Sequence, residues 1–124
     1  MAAGRYAVLL VDDADDLRLM LRLNLEDSQR FTIVGEATDG AEGVELARES
    51  QPDLVLLDIA MPVQDGFEAL PHIREAAPDA RVVILSSFEE QRLGRKAEDL
   101  GAAAFLEKSL APDALVARLL ELMG

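Results

Sequence analysis

The sequence predicts an α/β fold, a three-layer sandwich in which helices cover both faces of a parallel sheet. Short apolar runs alternate with longer amphipathic stretches, as in repeated strand–helix units. The apolar runs are continuous, which is typical of strands covered on both faces. A length of 124 residues, half of them hydrophobic, suits one domain with a single core. We therefore expect one domain over residues 1–124.

The five apolar runs are the predicted strands. The last of them is rich in alanine and has the weakest strand propensity, so its assignment depends on its neighbours. The runs are Tyr6–Val11, Phe31–Val34, Leu54–Leu57, Val82–Leu85 and Ala102–Leu106.

The five stretches that follow the strands are the predicted helices. Gly101 is a natural stop for the fourth helix, and Pro112 suits the first turn of the fifth. In the first helix, apolar residues recur at helical spacing and predict a buried stripe of Leu17, Met20, Leu21 and Leu25. The predicted helices are Asp15–Asp27, Ala41–Ser50, Phe67–Ala77, Glu89–Leu100 and Asp113–Met123.

Two helices carry unusual surfaces. The fourth has only Leu93, Ala97 and Leu100 as an apolar stripe, which predicts a marginal, mobile helix. Leu19 and Leu23 lie on the first helix, away from its predicted core stripe. They could form a partner or dimer patch, although scattered exposed leucines are common.

Composition excludes several classes of function. The net charge of −12 argues against a nucleic-acid contact made by this domain, because phosphate binding depends on lysine and arginine. The absence of cysteine excludes disulfides and thiolate metal sites. No apolar run is long enough for a membrane helix, and the N-terminus does not resemble a signal peptide. We therefore expect a cytoplasmic protein without membrane contact.

Residues that can bind phosphate or a metal follow four of the five predicted strands. In an open parallel sheet, ligands bind outside the carboxyl ends of the strands. Side chains that follow different strands can therefore converge on one pocket. These residues are Asp12 and Asp13 after the first strand, Asp58 after the third, Ser86 and Ser87 after the fourth, and Lys108 near the end of the fifth.

Their chemistry suits a magnesium ion and a phosphoryl group. Mg²⁺ prefers oxygen ligands, and it relieves the repulsion among clustered carboxylates such as Asp12, Asp13 and Asp58. Lys108 offers a compact positive charge for a phosphoryl oxygen, and Ser86 a hydrogen bond. Asp58 stands alone after a buried strand and is the candidate nucleophile for an acyl phosphate.

Each residue also has an ordinary structural explanation. Asp12-Asp13 could cap a helix, and Asp58 could start a turn. Lys108 could be solvated, and the serine pair could belong to a loop. The joint occurrence of these residues at successive strand ends favours a shared site.

The set of motifs resembles the receiver domain of two-component response regulators. Any one motif is weak, but the set covers essentially the whole chain in the family's order. The resemblance implies a flavodoxin-like fold with five parallel strands in the order 2-1-3-4-5. The motifs are Asp12-Asp13, Leu56–Pro62 with Asp65-Gly66, Val82–Ser87, and Gly101-Ala102 with Lys108.

The resemblance implies that Asp58 is phosphorylated from a phosphohistidine of a sensor histidine kinase or a phosphotransfer protein. Asp13, Asp58 and the backbone carbonyl of Ala60 would bind Mg²⁺, with Asp12 acting largely through water. Such a domain is not an enzyme in the usual sense, because it catalyses only its own phosphorylation and dephosphorylation.

The resemblance also implies a switch. Ser86, Ser87 and Lys108 would contact the phosphoryl group, and Phe105 would swing inward when Ser86 is drawn towards it. Phe105 could instead be an ordinary core residue. The change would reach an output face near the fourth helix, fifth strand and fifth helix, and could include a homodimer on phosphorylation.

Ser109 departs from the family pattern. Most receivers have a proline here, usually after a cis bond, and a non-proline cis bond costs roughly 3–4 kcal/mol. We therefore predict either a trans bond with a shifted Lys108 or a strained cis bond. Proline is often absent here in receivers of the LuxR/NarL class, which Lys108–Leu115 also resembles.

Two other functions compete with this one. The first is an acyl-phosphate hydrolase with an aspartate nucleophile, but Asp12–Asp15 lacks the Asp-x-Asp-x-Thr pattern of such phosphatases. The second is a receiver-like interaction module that is not phosphorylated, against which the full set of site residues argues. A dinucleotide-binding domain is disfavoured because no Gly-x-Gly-x-x-Gly follows a strand.

Overall fold

A computed structural model of the chain describes residues 5–59, 66–86 and 94–124. The strands in these residues form one parallel sheet in the order β2-β1-β3-β4-β5, which confirms the predicted order. The strands are β1 (Tyr6–Val11), β2 (Phe31–Ala37), β3 (Leu54–Asp58), β4 (Arg81–Ser86) and β5 (Ala104–Glu107).

A helix follows each strand. The predicted start of α4 lies outside the described residues, and α3 runs through Pro71 without a break. Within the described ranges, no helix combines the length and apolar character needed to cross a membrane. The helices are α1 (Asp15–Asp27), α2 (Gly40–Ser50), α3 (Gly66–Ala76), α4 (Gly94–Asp99) and α5 (Pro112–Met123).

The core has two halves, one on each face of the sheet. Leu10, Leu25 and Leu119 belong to the half between the sheet and α1 with α5. Leu9 and Ile73 belong to the half on the opposite face, under α2, α3 and α4. Alternate residues of β1 therefore enter different halves, as expected for a strand buried on both faces.

The predicted core stripe of α1 is only partly right. Leu21 and Leu25 are buried and Leu17 is partly buried. The prediction for Met20 is wrong, since this residue is 42% exposed. One residue corresponds to about 100° of helix rotation, so Met20 faces solvent while Leu21 faces the core. Leu23 is also exposed, as predicted.

Strand β2 extends three residues beyond its predicted end and contains a bulge. Val8 pairs with Ile33, but Leu9 pairs with Gly35, so Val34 is an extra residue in the ladder. Val34 is correspondingly exposed. The predicted strand ends at Val34 because the next two residues, a glycine and a glutamate, interrupt the apolar run.

Helix α2 approaches β1 closely at Gly43. A Cβ atom at this position would lie 2.9 Å from Cγ1 of Val11, a separation that real Cβ atoms essentially never show. Both residues are buried. The absence of a side chain at Gly43 therefore lets α2 pack directly over the end of β1, next to Asp12.

Candidate functional site

The carboxyl ends of β1 and β3 bring three carboxylates together. Val11 pairs with Leu57 in the parallel ladder, so the residues that follow them, Asp12 and Asp58, are neighbours. One ligand oxygen from each of Asp12, Asp13 and Asp58 lies within 4.8 Å of the other two. Asp12 and Asp58 are each only 2% exposed, whereas Asp13 faces solvent.

Asp12 is held firmly by its neighbours but keeps one unsatisfied oxygen. Its backbone N–H donates to the carbonyl of Ala37 at 3.0 Å, and its Oδ1 accepts from the N–H of Ala14 at 2.8 Å. Its Oδ2 is buried and has no hydrogen-bond partner among the described residues. Burial raises the pKa of Asp12 above its ordinary value, although the Ala14 hydrogen bond and the charge of Lys108 oppose this.

Lys108 supplies a positive charge to the same group of carboxylates. Its Nζ lies 2.9 Å from Oδ1 of Asp58 and 3.6 Å from Oδ2 of Asp12, which is too far for a hydrogen bond. The peptide bond before Ser109 is trans, as in one of the two predicted alternatives, and the shift of Lys108 predicted with it stays a prediction. A serine in place of the family's proline therefore still allows Lys108 to reach Asp58.

Ser86 lies at the end of β4, next to the Lys108 segment. Its side chain is fully buried, with Oγ 3.5 Å from the carbonyl oxygen of Leu106. Its own carbonyl accepts a hydrogen bond from the N–H of Lys108 at 2.7 Å. Phe105 is partly buried on β5, packed against the core under α2–α4. Ala60 and Ser87, the other predicted site residues, lie outside the described residues.

The residues present fit a hard divalent cation. Asp12, Asp13 and Asp58 bring three negative charges against the one charge of Lys108, and within the described ranges one buried oxygen of Asp12 lacks a hydrogen-bond partner. A cation with oxygen ligands would satisfy that atom and reduce the repulsion among the carboxylates. The donor set is all oxygen, which suits Mg²⁺ rather than a softer metal.

Sequence reasoning missed one residue beside the site. Nη1 of Arg18 donates to the carbonyl oxygen of Asp12 at 2.6 Å. An arginine on an amphipathic helix usually points into water, so its position in the sequence gives little warning of this contact. Arg18 follows Asp12 by six residues and lies in the first turn of α1, and this short spacing is the one available signal.

The sequence profile of the response regulator receiver domain matches residues 8–120. The chain belongs to this family of two-component signalling domains. The receiver domain is 41% identical over 101 residues to the chemotaxis protein CheY of Halobacterium salinarum, covering 82% of each chain. It is also 37% identical over 102 residues to the transcriptional regulatory protein LiaR of Bacillus subtilis. That match covers 82% of the receiver domain but 48% of LiaR.

Solved receiver structures have the same fold. The signal receiver domain of NarL from Mycobacterium tuberculosis superposes with a TM-score of 0.89 at 32% identity, covering 97% of each chain. A chain of the CheX–CheY–BeF₃–Mg²⁺ complex from Borrelia burgdorferi gives a TM-score of 0.88 at 30% identity. It covers 96% of this receiver and 90% of that chain. The flavodoxin-like fold and the resemblance to response regulators, with NarL among the relatives, are thus confirmed.

Proposed function

We propose that this receiver is switched by phosphorylation of Asp58, with Mg²⁺, from a phosphohistidine of a sensor histidine kinase or a phosphotransfer protein. One observation carries the proposal. Asp58 ends β3 with Oδ1 2.9 Å from Nζ of Lys108, and two further carboxylates lie within 4.8 Å. A nucleophilic oxygen, a cation for the transferred group and a candidate metal site thus lie together at the carboxyl end of the sheet.

The transfer needs one nucleophile and one leaving group. A carboxylate oxygen of Asp58 attacks the phosphorus and forms a P–O bond, while the bond from phosphorus to the imidazole nitrogen breaks. The bonding electrons stay on the imidazole. The product on Asp58 is an acyl phosphate. Lys108 already holds one oxygen of this carboxylate, and its charge would stabilise the new phosphoryl oxygens.

The metal would be held by Asp13, Asp58 and the carbonyl of Ala60, with Asp12 acting through water. When bound, Mg²⁺ supplies positive charge that offsets the carboxylates and the phosphoryl oxygens. The Borrelia burgdorferi complex contains both Mg²⁺ and BeF₃ together with CheY, which supports the same pairing of metal and phosphoryl-like ligand here.

Ser86 and Phe105 would carry the change away from Asp58. Ser86 is buried on β4, and Phe105 lies on the adjacent strand β5, paired with Ile84. Movement of the Ser86 hydroxyl towards the phosphoryl group, with Ser87 as a second contact, would let Phe105 turn inward. The phosphoryl group must bind this arrangement better than the resting one in order to shift the population. The readout face is then α4, β5 and α5.

The partners we propose are proteins. With a net charge of −12, this domain is a poor surface for nucleic acid, so a DNA contact would have to be made elsewhere. The phosphorylated form is the candidate for a homodimer, to be tested by sedimentation velocity with and without phosphorylation. The domain would catalyse only its own phosphorylation and dephosphorylation, in the cytoplasm.

The direct test is intact mass spectrometry after incubation with acetyl phosphate and Mg²⁺. We expect a gain of one phosphoryl group that requires Mg²⁺, is lost in Asp58→Asn and is kept in Asp79→Asn, a control outside the acid cluster. No adduct and no faster phosphate release than from the donor alone would overturn the proposal. Turnover of an external phosphate monoester would instead favour a hydrolase.

A further inference from the structure

Arg18 is a charged residue that is nearly buried beside the acid cluster. Its side chain is 12% exposed. Its guanidinium contacts three acceptors on separate segments of the chain: the carbonyl of Asp12 after β1, the carboxylate of Asp15 at the start of α1, and Oε1 of Glu36 on β2 at 3.1 Å. Such burial is costly unless the charge is fully paired, and these three contacts pair it.

We propose that Arg18 is a positioning residue for the metal site: by holding the carbonyl of Asp12, it fixes the peptide unit that places Asp13. The inference rests on the function proposed above and extends it to a residue that contacts neither the phosphoryl acceptor nor the candidate metal.

The geometry of the peptide unit supports this role. The carbonyl of Asp12 and the N–H of Asp13 lie in one rigid plane. The N–H and Oδ1 of Asp12 are already held, since the N–H donates to Ala37 and Oδ1 accepts from Ala14. Neither of these contacts involves the carbonyl of Asp12, which lies in the peptide plane between the two aspartates. Because Asp13 is exposed, packing does little to restrain it, and the Arg18 contact at 2.6 Å supplies the restraint.

The shape of the guanidinium is essential to the argument. Its three nitrogens each serve a different acceptor, an arrangement that the single nitrogen of a lysine cannot reproduce. Burial opposes the charge of Arg18, but its hydrogen bonds to Asp15 and Glu36 outweigh this and raise its pKa above the ordinary value. The other carboxylate oxygen of Glu36, Oε2, accepts a hydrogen bond from Nη1 of Arg22 at 2.8 Å.

Positioning and simple electrostatics predict opposite effects on metal binding. If Arg18 acted only through its charge, removing it would strengthen Mg²⁺ binding, since one positive charge near the site is lost. If Arg18 acts by holding the Asp12 carbonyl, removing it would weaken Mg²⁺ binding. Loss of a group that orients a metal ligand typically costs about 10–100-fold in affinity.

The test is a titration of the apo protein with Mg²⁺ alone, followed by amide signals in ¹H–¹⁵N NMR spectra. We compare wild type with Arg18→Met, Arg18→Lys and Arg22→Met. Arg22 is the matched control, because it lies on the same helix and binds the same glutamate. We expect Kd to rise about tenfold in Arg18→Met and several-fold in Arg18→Lys, and to stay within about twofold in Arg22→Met.

The outcomes distinguish failure of the proposed metal site from failure of the positioning role of Arg18. If wild type shows no Mg²⁺-dependent shifts, the metal site itself is wrong. If wild type binds Mg²⁺ and Arg18→Met binds equally well or more tightly, the positioning role is overturned. The same spectra report folding, and if Arg18→Met does not fold, Arg18→Lys decides: unchanged Kd overturns the role, and a raised Kd supports it.

Discussion

Nζ of Lys108 lies 2.9 Å from Oδ1 of Asp58, so an ion pair joins the end of β3 to the segment after β5, across the intervening strand β4. Asp58 is buried, whereas the Lys108 side chain is 28% exposed. Under the function proposed above, this is the pair whose lysine would pass from the carboxylate to the phosphoryl oxygens.

We expect Lys108→Met to lower the free energy of unfolding by about 1–2 kcal/mol in EDTA. Removing one partner of a fully buried pair costs about 3–5 kcal/mol, and partial exposure reduces that cost. The cause is the buried charge left on Asp58 and Asp12. Urea unfolding measures the effect, and Asp58→Asn completes a double-mutant cycle. If Lys108→Met costs as much in the Asp58→Asn background as in wild type, the two side chains are not coupled.

Asp12→Asn should stabilise the metal-free protein at neutral pH. The raised pKa of Asp12 means that the folded state binds this proton more tightly than the unfolded state. Its contribution to stability is therefore present at low pH and lost as pH rises from the ordinary value of 3.8 through the raised pKa. Above this range the burial of Asp12 opposes folding, and its replacement by asparagine should add about 1 kcal/mol at pH 7.

Thermal unfolding in EDTA at a series of pH values tests this prediction. The variant should exceed wild type in Tm by about 4 °C at pH 7, with the difference shrinking as the pH falls towards 4. Asp16→Asn, an exposed change on α1, is the control and should show no such trend. A difference that does not vary with pH would contradict the assignment to Asp12.

Gly43→Ala should destabilise the protein despite the helix propensity of alanine. The added Cβ would lie 2.9 Å from Cγ1 of Val11, which is fully buried, so the packing around it would have to shift. Overpacking of this kind costs about 1–3 kcal/mol, whereas alanine gains about 1 kcal/mol over glycine in a helix. We expect a net loss of about 1 kcal/mol by urea unfolding. Glu49→Ala, exposed on the same helix, should be nearly neutral, and a stabilised Gly43→Ala would contradict the close contact.

Helix α4 should exchange its amide hydrogens faster than β3. Of the α4 residues whose burial is described, 95–99, Ala97 is the buried one, and an alanine contributes little apolar area. All residues of β3, in contrast, are buried. Hydrogen–deuterium exchange with peptide-level mass spectrometry compares the two segments directly. If α4 exchanges as slowly as β3, the prediction that α4 is only marginally stable is wrong.

The sequence was sufficient for those features that depend on regular periodicity. Continuous apolar runs identified β1 with its correct bounds, and parallel geometry then implied that Asp12 and Asp58 would meet. The order of the strands came from the resemblance to receivers, because apolar runs alone do not specify which strands are neighbours.

The features that were missed depend on tertiary contacts. Met20 fits the helical spacing of the core stripe, yet the orientation of α1 on the sheet turns it outward. Arg18 has the charge of a surface residue, and only the folded chain brings the Asp12 carbonyl and Glu36 within its reach. A single sequence specifies neither how a helix is rotated against the sheet nor which groups a long side chain contacts.

The bulge in β2 determines on which face of the sheet the Glu36 side chain lies. Successive residues of a strand face opposite sides of the sheet, so one extra residue reverses every later side chain. With Val34 inserted, Glu36 pairs with Leu10 and shares the side of α1. In a regular ladder, with Val34 paired to Leu9, Glu36 would instead pair with Val11 and turn towards α2. Arg18 would then lose Glu36 as a partner through a change of register alone.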